Sequence, residues 1–470
     1  MQVKDLTIKD ILNLTKGKLL QGDEESICGK FAYDTREVEL GDVYIRVHSN
    51  RLKEEEQYWD KAFEAGADIA IINQNTEIDM EKLEKWEGKA LIQVEDTLQA
   101  LHKIATAKRE LYGDNFPLIG ITGSVGKTST KDMVASVVSQ KYKTLKTKGN
   151  YNNHIGMPLT ILGLKDEEAA VVEMGMNHSG EISVLTKIGK PKIAIITNIG
   201  TSHIGNLGSR ENILKAKLEI LDGMKQKEII INNDNDLLHK WAQENQDESI
   251  KIHTFGIENQ SEVWAEDVEL HENSSDFKCH IRGKEVMVHV PVGGIHFVYN
   301  ALCAMLTGSL LNIEIEDMKK GIEGFELTKK RMEIIELPNG AKIINDAYNA
   351  SFESMQASLR YLEGYKNNRK IAVLGDMFEL GKYAEELHRK VGKEVANRNI
   401  DVLLCSGENS KFIVEEARKA NSQLKEIKYF ETKEEILEYL KEHIKENDVV
   451  LVKASNGMKF YEICDGMDIP

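Results

Sequence analysis

One segment restricts the fold of this chain more than any other: a glycine-rich stretch that joins an apolar run to a helical pattern. Residues 118–122 predict a buried strand, residues 120–128 read GITGSVGKT, and residues 129–140 predict a helix. Glycines let the backbone turn tightly and aim its N–H groups at an anion, and the start of the helix adds its dipole. A strand, such a loop and a helix in succession predict a phosphate-binding loop in an α/β sheet.

Two side chains at the end of this loop carry the expected chemistry. Lys127 can neutralise charge on the β- and γ-phosphates of a nucleotide, and the hydroxyl of Thr128 can hold Mg²⁺. The spacing is GxxGxxGKT and not the strict GxxxxGK[ST], because Ile stands at position 121. The alternative is a glycine-rich strand–helix turn that binds nothing, but GKT in this context favours a nucleotide site.

The chain around the loop alternates between short apolar runs and helical patterns. Further buried strands are predicted at residues 169–174, 192–197 and 228–231. Such alternation is typical of a mainly parallel sheet with helices on both faces. Between residues 261 and 292 the apolar positions recur every second residue, which predicts antiparallel strands added to that sheet. An apolar helix is predicted at 297–311.

The flanking regions predict two more α/β units. The 470 residues, at ~150 per domain, suggest about three domains. We predict the first at 1–112, with a buried strand at 67–72; the second at 113–327; and the third at 328–470. The third has strands at 371–375, 402–405 and 449–452 and resembles a Rossmann-like, doubly wound domain.

Charge and composition exclude several classes of protein. The formal net charge of −16 disfavours a general nucleic-acid binder, because phosphate backbones require a basic surface. No apolar run approaches ~18 residues, and the charged N-terminus has no apolar stretch after it, so no membrane segment or signal peptide is expected. Five scattered cysteines without a CxxC favour reduced, buried thiols. We therefore expect a cytoplasmic protein.

Several motifs, in the same order along the chain, resemble those of the Mur ligases, the ATP-dependent amide-forming enzymes of peptidoglycan precursor synthesis. The glycine-rich loop is the first of them. The others are EMGMNHSGEI at 173–182, TNIGTSH at 197–203, AKLE at 216–219, GIH at 294–296 with Asn300, NDAYNAS at 345–351 and LGDMFELG at 374–381. EMGM, DAYNAS and LGDMFELG most resemble the branch that joins D-alanyl-D-alanine to UDP-N-acetylmuramoyl-tripeptide through an acyl phosphate. The resemblance spans residues 30 to 460.

The resemblance implies a nucleotide site built from two domains. ATP and two Mg²⁺ ions are the implied ligands. The implied ATP-binding residues are Gly123, Ser124, Gly126, Lys127, Thr128, Ser129, Asn300, Arg331 and Asp346. In the family the matching asparagine (Asn300) contacts the adenine, the arginine (Arg331) reaches the phosphates across the domain gap, and the aspartate (Asp346) holds the ribose. Without the resemblance, Arg331 could equally be an exposed surface arginine.

The resemblance also implies metal ligands and catalytic residues. The implied metal ligands are Thr128, Glu173, His203 and Lys217, and the last three act in catalysis together with Lys127. By sequence alone, Glu173 at a strand end could be a cation ligand or a capping carboxylate, and a lone His203 is more often structural. Lys217 alone would be interpreted as a solvated helix lysine. In the family the matching lysine is carbamylated, so N6-carboxylysine is implied here; Lys215 faces another side of the helix.

The segments expected to bind the substrates match the family less closely. Thr35, Arg36, Asn152, Tyr348 and Asn349 match family positions near the UDP-linked muramoyl peptide or D-Ala-D-Ala, although Asp34 and Arg36 could be a plain exposed ion pair. Residues 48–58 lack the family's glycine-rich continuation, Asn456 stands where an arginine is usual, and Phe297 replaces an asparagine after His296. His296 itself could be a packed or capping imidazole.

Other functions remain as alternatives at this point. One is a paralogue that joins a different amino acid or dipeptide to a different carboxylate. Another is a folylpolyglutamate- or cyanophycin-type ligase, which LGDMFELG and DAYNAS disfavour. A catalytically silent nucleotide-binding protein is disfavoured because Lys127, Thr128, Glu173, His203 and Lys217 are all retained. A GTPase is a still weaker alternative, since the sequence shows no motif of the kind with which GTPases recognise the guanine base. We expect a monomer that acts on small molecules.

Overall fold

The computed structural model describes residues 5–47, 58–245, 249–420 and 424–467. It contains three sheets of five, nine and six strands, which follow one another along the chain. Helices lie between most consecutive strands. The predicted α/β fold is confirmed, with its mainly parallel central sheet extended by antiparallel strands and its doubly wound C-terminal region.

The first sheet is small and has one antiparallel edge. Its strand order is β1-β5-β4-β3-β2, with β1 antiparallel to β5 and the other pairs parallel. The strands are β1 Lys18–Gln21, β2 Phe31–Ala32, β3 Val43–Ile45, β4 Ile69–Asn73 and β5 Ala90–Val94. The helices are α1 Ile8–Thr15, α2 Tyr58–Ala65, α3 Met80–Glu84 and α4 Thr97–Glu110, and a 3₁₀ turn spans Thr35–Glu37.

The second sheet contains the glycine-rich loop. Its order is β14-β13-β12-β11-β10-β9-β6-β8-β7, parallel from β7 to β12 and antiparallel from β12 to β14. The strands are β6 Leu118–Thr122, β7 Thr144–Lys146, β8 Ala169–Glu173, β9 Ile193–Ile196, β10 Lys227–Asn232, β11 Ile250–Gly256, β12 Val263–Leu270, β13 Ser275–Ile281 and β14 Lys284–Val290. The helices are α5 Lys127–Val138, α6 Gly156–Leu162, α7 Glu181–Gly189, α8 Ile204–Leu207, α9 Arg210–Leu218, α10 Asp236–Glu244, α11 Ile295–Leu310 and α12 Ile315–Glu323.

The third sheet has the order β15-β16-β20-β17-β18-β19 and is parallel except for the β15–β16 pair. The strands are β15 Glu333–Glu336, β16 Lys342–Asn345, β17 Arg369–Leu374, β18 Val402–Ser406, β19 Glu426–Phe430 and β20 Asp448–Lys453. The helices are α13 Phe352–Glu363, α14 Ala384–Ala396, α15 Ser410–Lys419, α16 Lys433–His443 and α17 Tyr461–Met467.

The apolar patterns explain how the second sheet is covered. Helix α11 is apolar around most of its circumference and is buried against α5 and the sheet, as expected of a helix without a solvent face. The strands β6, β8 and β9 at the centre are buried on both faces. Their carboxyl ends lie side by side, which is where open parallel sheets bind ligands. Within the described residues no helix is long and apolar enough to cross a bilayer.

One histidine of this sheet links folding stability to pH. His253 on β11 contacts two carboxylates, with its Nε2 3.1 Å from Glu228 and its Nδ1 2.7 Å from Glu262. The hydrogen bonds with Glu228 and Glu262 raise the pKa of His253 to about 9. The folded chain therefore binds a proton here that the unfolded chain, with a histidine pKa of about 6.5, releases at a lower pH.

We expect this contribution to stability to be complete below pH 6.5 and to disappear as the pH rises to 9. Because His253 is partly exposed, the loss should be about 1–2 kcal/mol in the free energy of unfolding. Urea unfolding at pH 6 and at pH 9.5 measures it. In His253→Gln, the difference in unfolding free energy between pH 6 and pH 9.5 should shrink by that amount. An unchanged difference would refute the assignment.

Candidate active site

The glycine-rich loop joins β6 to α5, and two of its glycines are required by geometry. Gly123 has φ +152° and Gly126, the residue just before helix α5, has φ +83°; residues with side chains rarely adopt these conformations. A Cβ atom at Gly123 would lie 1.9 Å from the Thr197 hydroxyl oxygen. The predicted strand–loop–helix unit is thus observed, although the helix begins at Lys127, two residues earlier than the sequence pattern indicated.

Two lysines converge on one carbonyl oxygen of this loop. Lys127 Nζ donates to Gly123 O at 2.8 Å, and Lys217 Nζ donates to the same oxygen at 2.9 Å. Lys217 on α9 is 1% exposed, whereas Lys215 faces solvent. The interpretation of Lys217 as a solvated lysine, which the sequence alone favoured, is therefore wrong.

The burial of these two lysines changes their protonation. Burial lowers the pKa of Lys217 well below its usual value, and the charge of Lys127 lowers it further. Burial also lowers the pKa of Lys127, which Glu173 partly offsets. A buried amine next to another cation is favoured in its neutral, nucleophilic form. Lys217 thus has the protonation chemistry that carbamylation requires.

A carboxylate lies at the end of β8, directly beside the loop. Glu173 is 2% exposed; its Oε2 accepts from the Thr128 hydroxyl at 2.8 Å and its Oε1 from Asn152 Nδ2 at 2.7 Å. Its backbone N–H donates to the Thr147 hydroxyl at 3.0 Å. The structure therefore brings three of the predicted residues, Thr128, Glu173 and Asn152, into one contact group.

A chain of contacts extends from this group to the third sheet region. Arg331 Nη2 donates to the Thr128 hydroxyl oxygen at 2.9 Å, and its guanidinium carbon lies 4.1 Å from the centre of the Tyr348 ring. Its buried Nε has no hydrogen-bond partner among the described residues. Arg331 is therefore not an isolated surface arginine but a cation held against the phosphate loop.

The loop after β9 carries His203 in a left-handed conformation, with φ +62°. Two contacts attach this loop to the glycine-rich loop: Gly200 N donates to Ser124 Oγ at 2.9 Å, and Ser202 Oγ donates to Ser124 O at 3.2 Å. Nδ1 of the His203 ring contacts the carboxylate of Glu379, from the LGDMFELG segment, and the proximity of His203 lowers the pKa of Glu379. The segment is recognisable in the sequence as a family motif, but the sequence alone assigns no role to Glu379.

A cavity of about 200 Å³ lies between the loop, helix α11 and the third sheet region. The predicted residues that line it are Ser124, Gly126, Lys127, Thr128, Ser129, Glu173, Asn300, Arg331, Asp346 and Asn349. His296 also lines it, and burial lowers the pKa of this imidazole to about 4. Asn300 Oδ1 accepts from Thr130 at 2.8 Å, which leaves its amide NH₂ for a ligand. The structure thus brings the predicted ATP-binding residues to one cavity, except Gly123, which does not line it.

Asp346 lies at the end of β16 and has a partner that sequence reasoning missed. Lys453 Nζ donates to Asp346 Oδ2 at 2.5 Å and to the Asn349 carbonyl at 3.0 Å. Ser358 Oγ also donates to Asp346 Oδ2, at 2.7 Å. Lys453 is 2% exposed, and it fixes the DAYNAS turn from the end of the neighbouring strand β20.

The predicted N-terminal substrate residues lie apart from this group. Thr35 and Arg36 form a 3₁₀ turn in which Arg36 pairs with Asp34 at 2.5 Å and remains largely exposed. The Arg36 guanidinium beside Asp34 holds the pKa of that carboxyl below its usual value. Beside this turn, Tyr151 donates to Glu37 at 2.9 Å. The turn is thereby connected to the second sheet region.

A second cavity, of about 480 Å³, lies between the first and second sheet regions. Its lining includes Lys30, Lys108, Lys146, Lys148, Lys165, Tyr33 and Tyr151. Thr35 and Arg36 are not among the described residues that line it, although Tyr33 and Glu37 on either side of them are. Residues 48–57, which depart from the family pattern, lie outside the described residues. Asn456 Nδ2 donates to the Tyr348 carbonyl at 3.0 Å.

The donor set fits a hard divalent cation only in company with phosphate. In the described part of the chain, no cluster of three His, Cys, Asp or Glu side chains could hold a metal by itself. Mg²⁺ at nucleotide sites keeps several waters and takes one or two protein oxygens plus phosphate. The Thr128 hydroxyl and the Glu173 carboxylate, 2.8 Å apart, match that requirement.

The fold and the site define a class of protein: an α/β nucleotide-binding enzyme whose phosphate loop is met by an arginine from a further α/β region. Comparison with known families agrees. Residues 121–308 match the Mur ligase middle domain, and residues 330–456 match the Mur ligase glutamate ligase domain. The chain belongs to the Mur ligase family.

The similar proteins place the chain near one branch of that family. It is 37% identical, over 97% of both chains, to the UDP-N-acetylmuramoyl-tripeptide–D-alanyl-D-alanine ligase of Bacillus subtilis. It superposes on a crystal structure of MurF from Acinetobacter baumannii with a TM-score of 0.87, at 29% identity and full coverage of both chains. The crystal structure of a MurF ligase from Thermotoga maritima in complex with ADP superposes with a TM-score of 0.79 at 26% identity. The match covers 93% of this chain and 97% of that chain.

Proposed function

We propose that this chain joins D-alanyl-D-alanine to UDP-N-acetylmuramoyl-tripeptide, with hydrolysis of ATP to ADP and phosphate, in the synthesis of peptidoglycan precursors. The observation that carries the proposal is the contact chain Glu173–Thr128–Arg331, which brings a carboxylate, a hydroxyl and a cation from two sheet regions to one phosphate loop. The 37% identity to a curated ligase with this activity supports it.

The proposed reaction has two steps. The terminal carboxylate of the tripeptide attacks the γ-phosphorus of ATP, giving an acyl phosphate and ADP. The amine of D-alanyl-D-alanine then attacks the acyl carbon, loses a proton, and expels phosphate to leave an amide. Both steps depend chiefly on positioning and on stabilising negative charge. Lys127 and Arg331 supply cationic donors at the phosphates, and Mg²⁺, when bound, would polarise the phosphoryl group.

We propose the following roles for the residues of the site. The backbone at Gly123, Ser124 and Gly126 surrounds the phosphates, and Ser129 lies on the first turn of the helix. Asn300 and Asp346 hold the adenosine, the first through its free amide NH₂. Tyr348 supports Arg331 through its ring, and Asn349 and Asn152 face the reacting end of the peptide.

We propose that Lys217 is carbamylated and that a second Mg²⁺ is bound by Glu173, His203 and this carbamate. The neutral amine of Lys217 adds to CO₂ and loses one proton, which converts a cation into an anionic oxygen ligand. The lowered pKa of Lys217 supports the first condition of that reaction. Among the described residues, Lys217 Nζ donates one hydrogen bond, to Gly123 O, and a neutral amine in this position keeps its nitrogen lone pair.

The division of labour among the domains is also a proposal. Residues 1–112 bind the UDP end of the carrier substrate, 113–327 bind ATP, and 328–470 bring the amine and close the nucleotide site. The lysine-lined cavity of about 480 Å³ between the first two regions suits an anionic diphosphate. Thr35 and Arg36 lie on the turn beside that cavity. We further propose that the enzyme is a cytoplasmic monomer.

A second candidate function is ligation of a different amine or carboxylate by the same chemistry. The observation that favours it is Asn456, which replaces an expected arginine and is engaged with the Tyr348 carbonyl. The ATP machinery described above is common to both candidates. They differ only in which substrates trigger phosphate release.

One assay separates the candidates. The protein is incubated with ATP, Mg²⁺, UDP-MurNAc-tripeptide and D-Ala-D-Ala, and phosphate and peptide products are measured. Phosphate release that requires both peptide substrates supports the proposal. Release with neither indicates a simple ATPase, and no release with any peptide indicates a silent nucleotide binder. Release only with other amines would select the second candidate.

Glu173→Gln tests the metal site. We expect kcat to fall about 10²–10³-fold, the size of effect seen when one charge-stabilising group is lost, and higher Mg²⁺ concentrations to restore part of it. The amide keeps the shape of the side chain but removes the charge that binds Mg²⁺. Glu168→Gln, on the exposed approach to the same strand, is the control. Unchanged activity and Mg²⁺ dependence would remove Glu173 from the site.

A further inference from the structure

Arg331 lies in an irregular segment between α12 and β15, and its backbone is held in an unusual way. The residues on both sides of it, Lys330 and Met332, have φ of +64° and +53°. A left-handed conformation is unfavourable for a residue with a side chain, and it persists only where the surroundings fix it. The contacts that fix this segment therefore decide where the arginine points.

One anchor is a buried carboxylate on the phosphate-loop helix. Asp132 is 3% exposed, and its Oδ2 accepts from the Thr328 hydroxyl at 2.6 Å. Its Oδ1 accepts from Lys146 at 2.9 Å and lies 3.2 Å from Lys131 Nζ. The contacts with the two lysines hold the carboxylate in place. The family motifs give no role to Asp132 or to Thr328.

The other anchor belongs to the third sheet region. Met332 N donates to Asp346 Oδ1 at 3.3 Å, and Lys330 N donates to Glu333 at 2.9 Å. The backbone at Arg331 is therefore tied on one side to helix α5 and on the other to the DAYNAS turn. Besides the contact that Arg331 itself makes with Thr128, the Thr328 contact joins the segment to the region that carries the phosphate loop.

The spacing makes the two contacts with α5 a matched pair. Thr128 and Asp132 are four residues apart on α5 and so face the same side of the helix. Thr328 and Arg331 are three residues apart on the segment. Thr328 contacts Asp132 and Arg331 contacts Thr128. The segment thus contacts the helix at two points one turn apart. Phosphate binding would require only the Arg331–Thr128 contact to change, whereas the Thr328–Asp132 contact could persist.

We propose that Thr328 and Asp132 are positioning residues for Arg331, setting the distance between its guanidinium and the phosphates. The proposal rests on the proposed function, in which Arg331 stabilises the transferred phosphoryl group. Arg331 cannot set its own direction through Nε, which has no partner among the described residues. Without the anchor, the left-handed backbone at Lys330 and Met332 relaxes, and the guanidinium moves away from the phosphate loop.

Thr328→Val and Thr328→Ser test this role. Valine keeps the shape of the side chain and removes the donor, whereas serine keeps the hydroxyl. We expect kcat to fall about 10- to 100-fold in the valine variant, the size of effect that small misplacements produce, with KM for the tripeptide unchanged. The serine variant should stay within about twofold of the parent, since an exchange that conserves the hydrogen bond has little effect. Equal kcat in the valine variant and the parent would overturn the proposal.

A double-mutant cycle with Arg331→Ala distinguishes positioning from a general structural role. If Thr328 acts through Arg331, adding Thr328→Val to Arg331→Ala should lower kcat no further. A further fall of the same size in the double variant would show that Thr328 acts elsewhere. If valine prevents folding, the cycle is made with Thr328→Ala.

Failure of the proposed function is separable from failure of this inference. A parent chain without ligase activity refutes the function, and the cycle is then measured as affinity for a non-hydrolysable ATP analogue by calorimetry. Coupling between Thr328 and Arg331 in that affinity supports the positioning role, and its absence refutes it.

Discussion

Lys127→Ala is expected to abolish turnover, with kcat falling at least about 10³-fold, because it removes the cationic donor at the β- and γ-phosphates. In the structure its ammonium nitrogen lies 2.8 Å from Gly123 O at the mouth of the nucleotide cavity. Its side chain lines that cavity, where bound phosphate oxygens would favour its protonated form. Phosphate release with both peptide substrates measures the loss.

The control for this variant is Lys225→Ala. Lys225 is an exposed lysine paired with Asp114 on the surface, and surface ion pairs of this kind contribute little. Its kcat should equal that of the parent. Near-normal kcat in Lys127→Ala would refute the assignment of the phosphate loop itself. The first turn of α5 has no other lysine that could replace Lys127.

The core of the fold was predictable because its strands are buried on both faces. The strands β8 and β18 are continuous apolar runs and were predicted within one or two residues. The edge strands β7 and β19 were missed, since they are only half-buried and carry charged residues in TLK and EIKYF. β11 was also missed, because polar residues interrupt its apolar pattern and most of its residues are only half-buried.

The site was predictable to the extent that it is local. Lys127 and Thr128 follow directly from the loop sequence. The burial of Lys217 does not, because its contact with Gly123 spans 94 residues and α9 has no strong apolar face. Lys453 was missed similarly, since its partner Asp346 lies 107 residues away. Glu379 belongs to a recognised motif, but only the three-dimensional structure brings it to His203.

Lys217→Ala is the second variant with a large expected effect. We expect kcat to fall at least about 10³-fold, since the variant would lack the carbamate that we propose as a ligand of the second Mg²⁺, together with its negative charge. The physical reason is specific to this lysine: it is 1% exposed, and burial together with Lys127 lowers its pKa well below the usual value. Only such an amine reacts readily with CO₂ near neutral pH.

Rescue distinguishes a carbamate from a structural lysine. Formate or acetate at high concentration should restore part of the activity of Lys217→Ala, because a small carboxylate can occupy the space of the carbamate and bind the metal. The same salts should not affect Lys215→Ala, which lies on the exposed face of the same helix and should be fully active. Activity in Lys217→Ala equal to that of the parent without rescue would refute the carbamate role. Loss without rescue in a folded variant would assign Lys217 to its bond with Gly123 O and the shape of the loop.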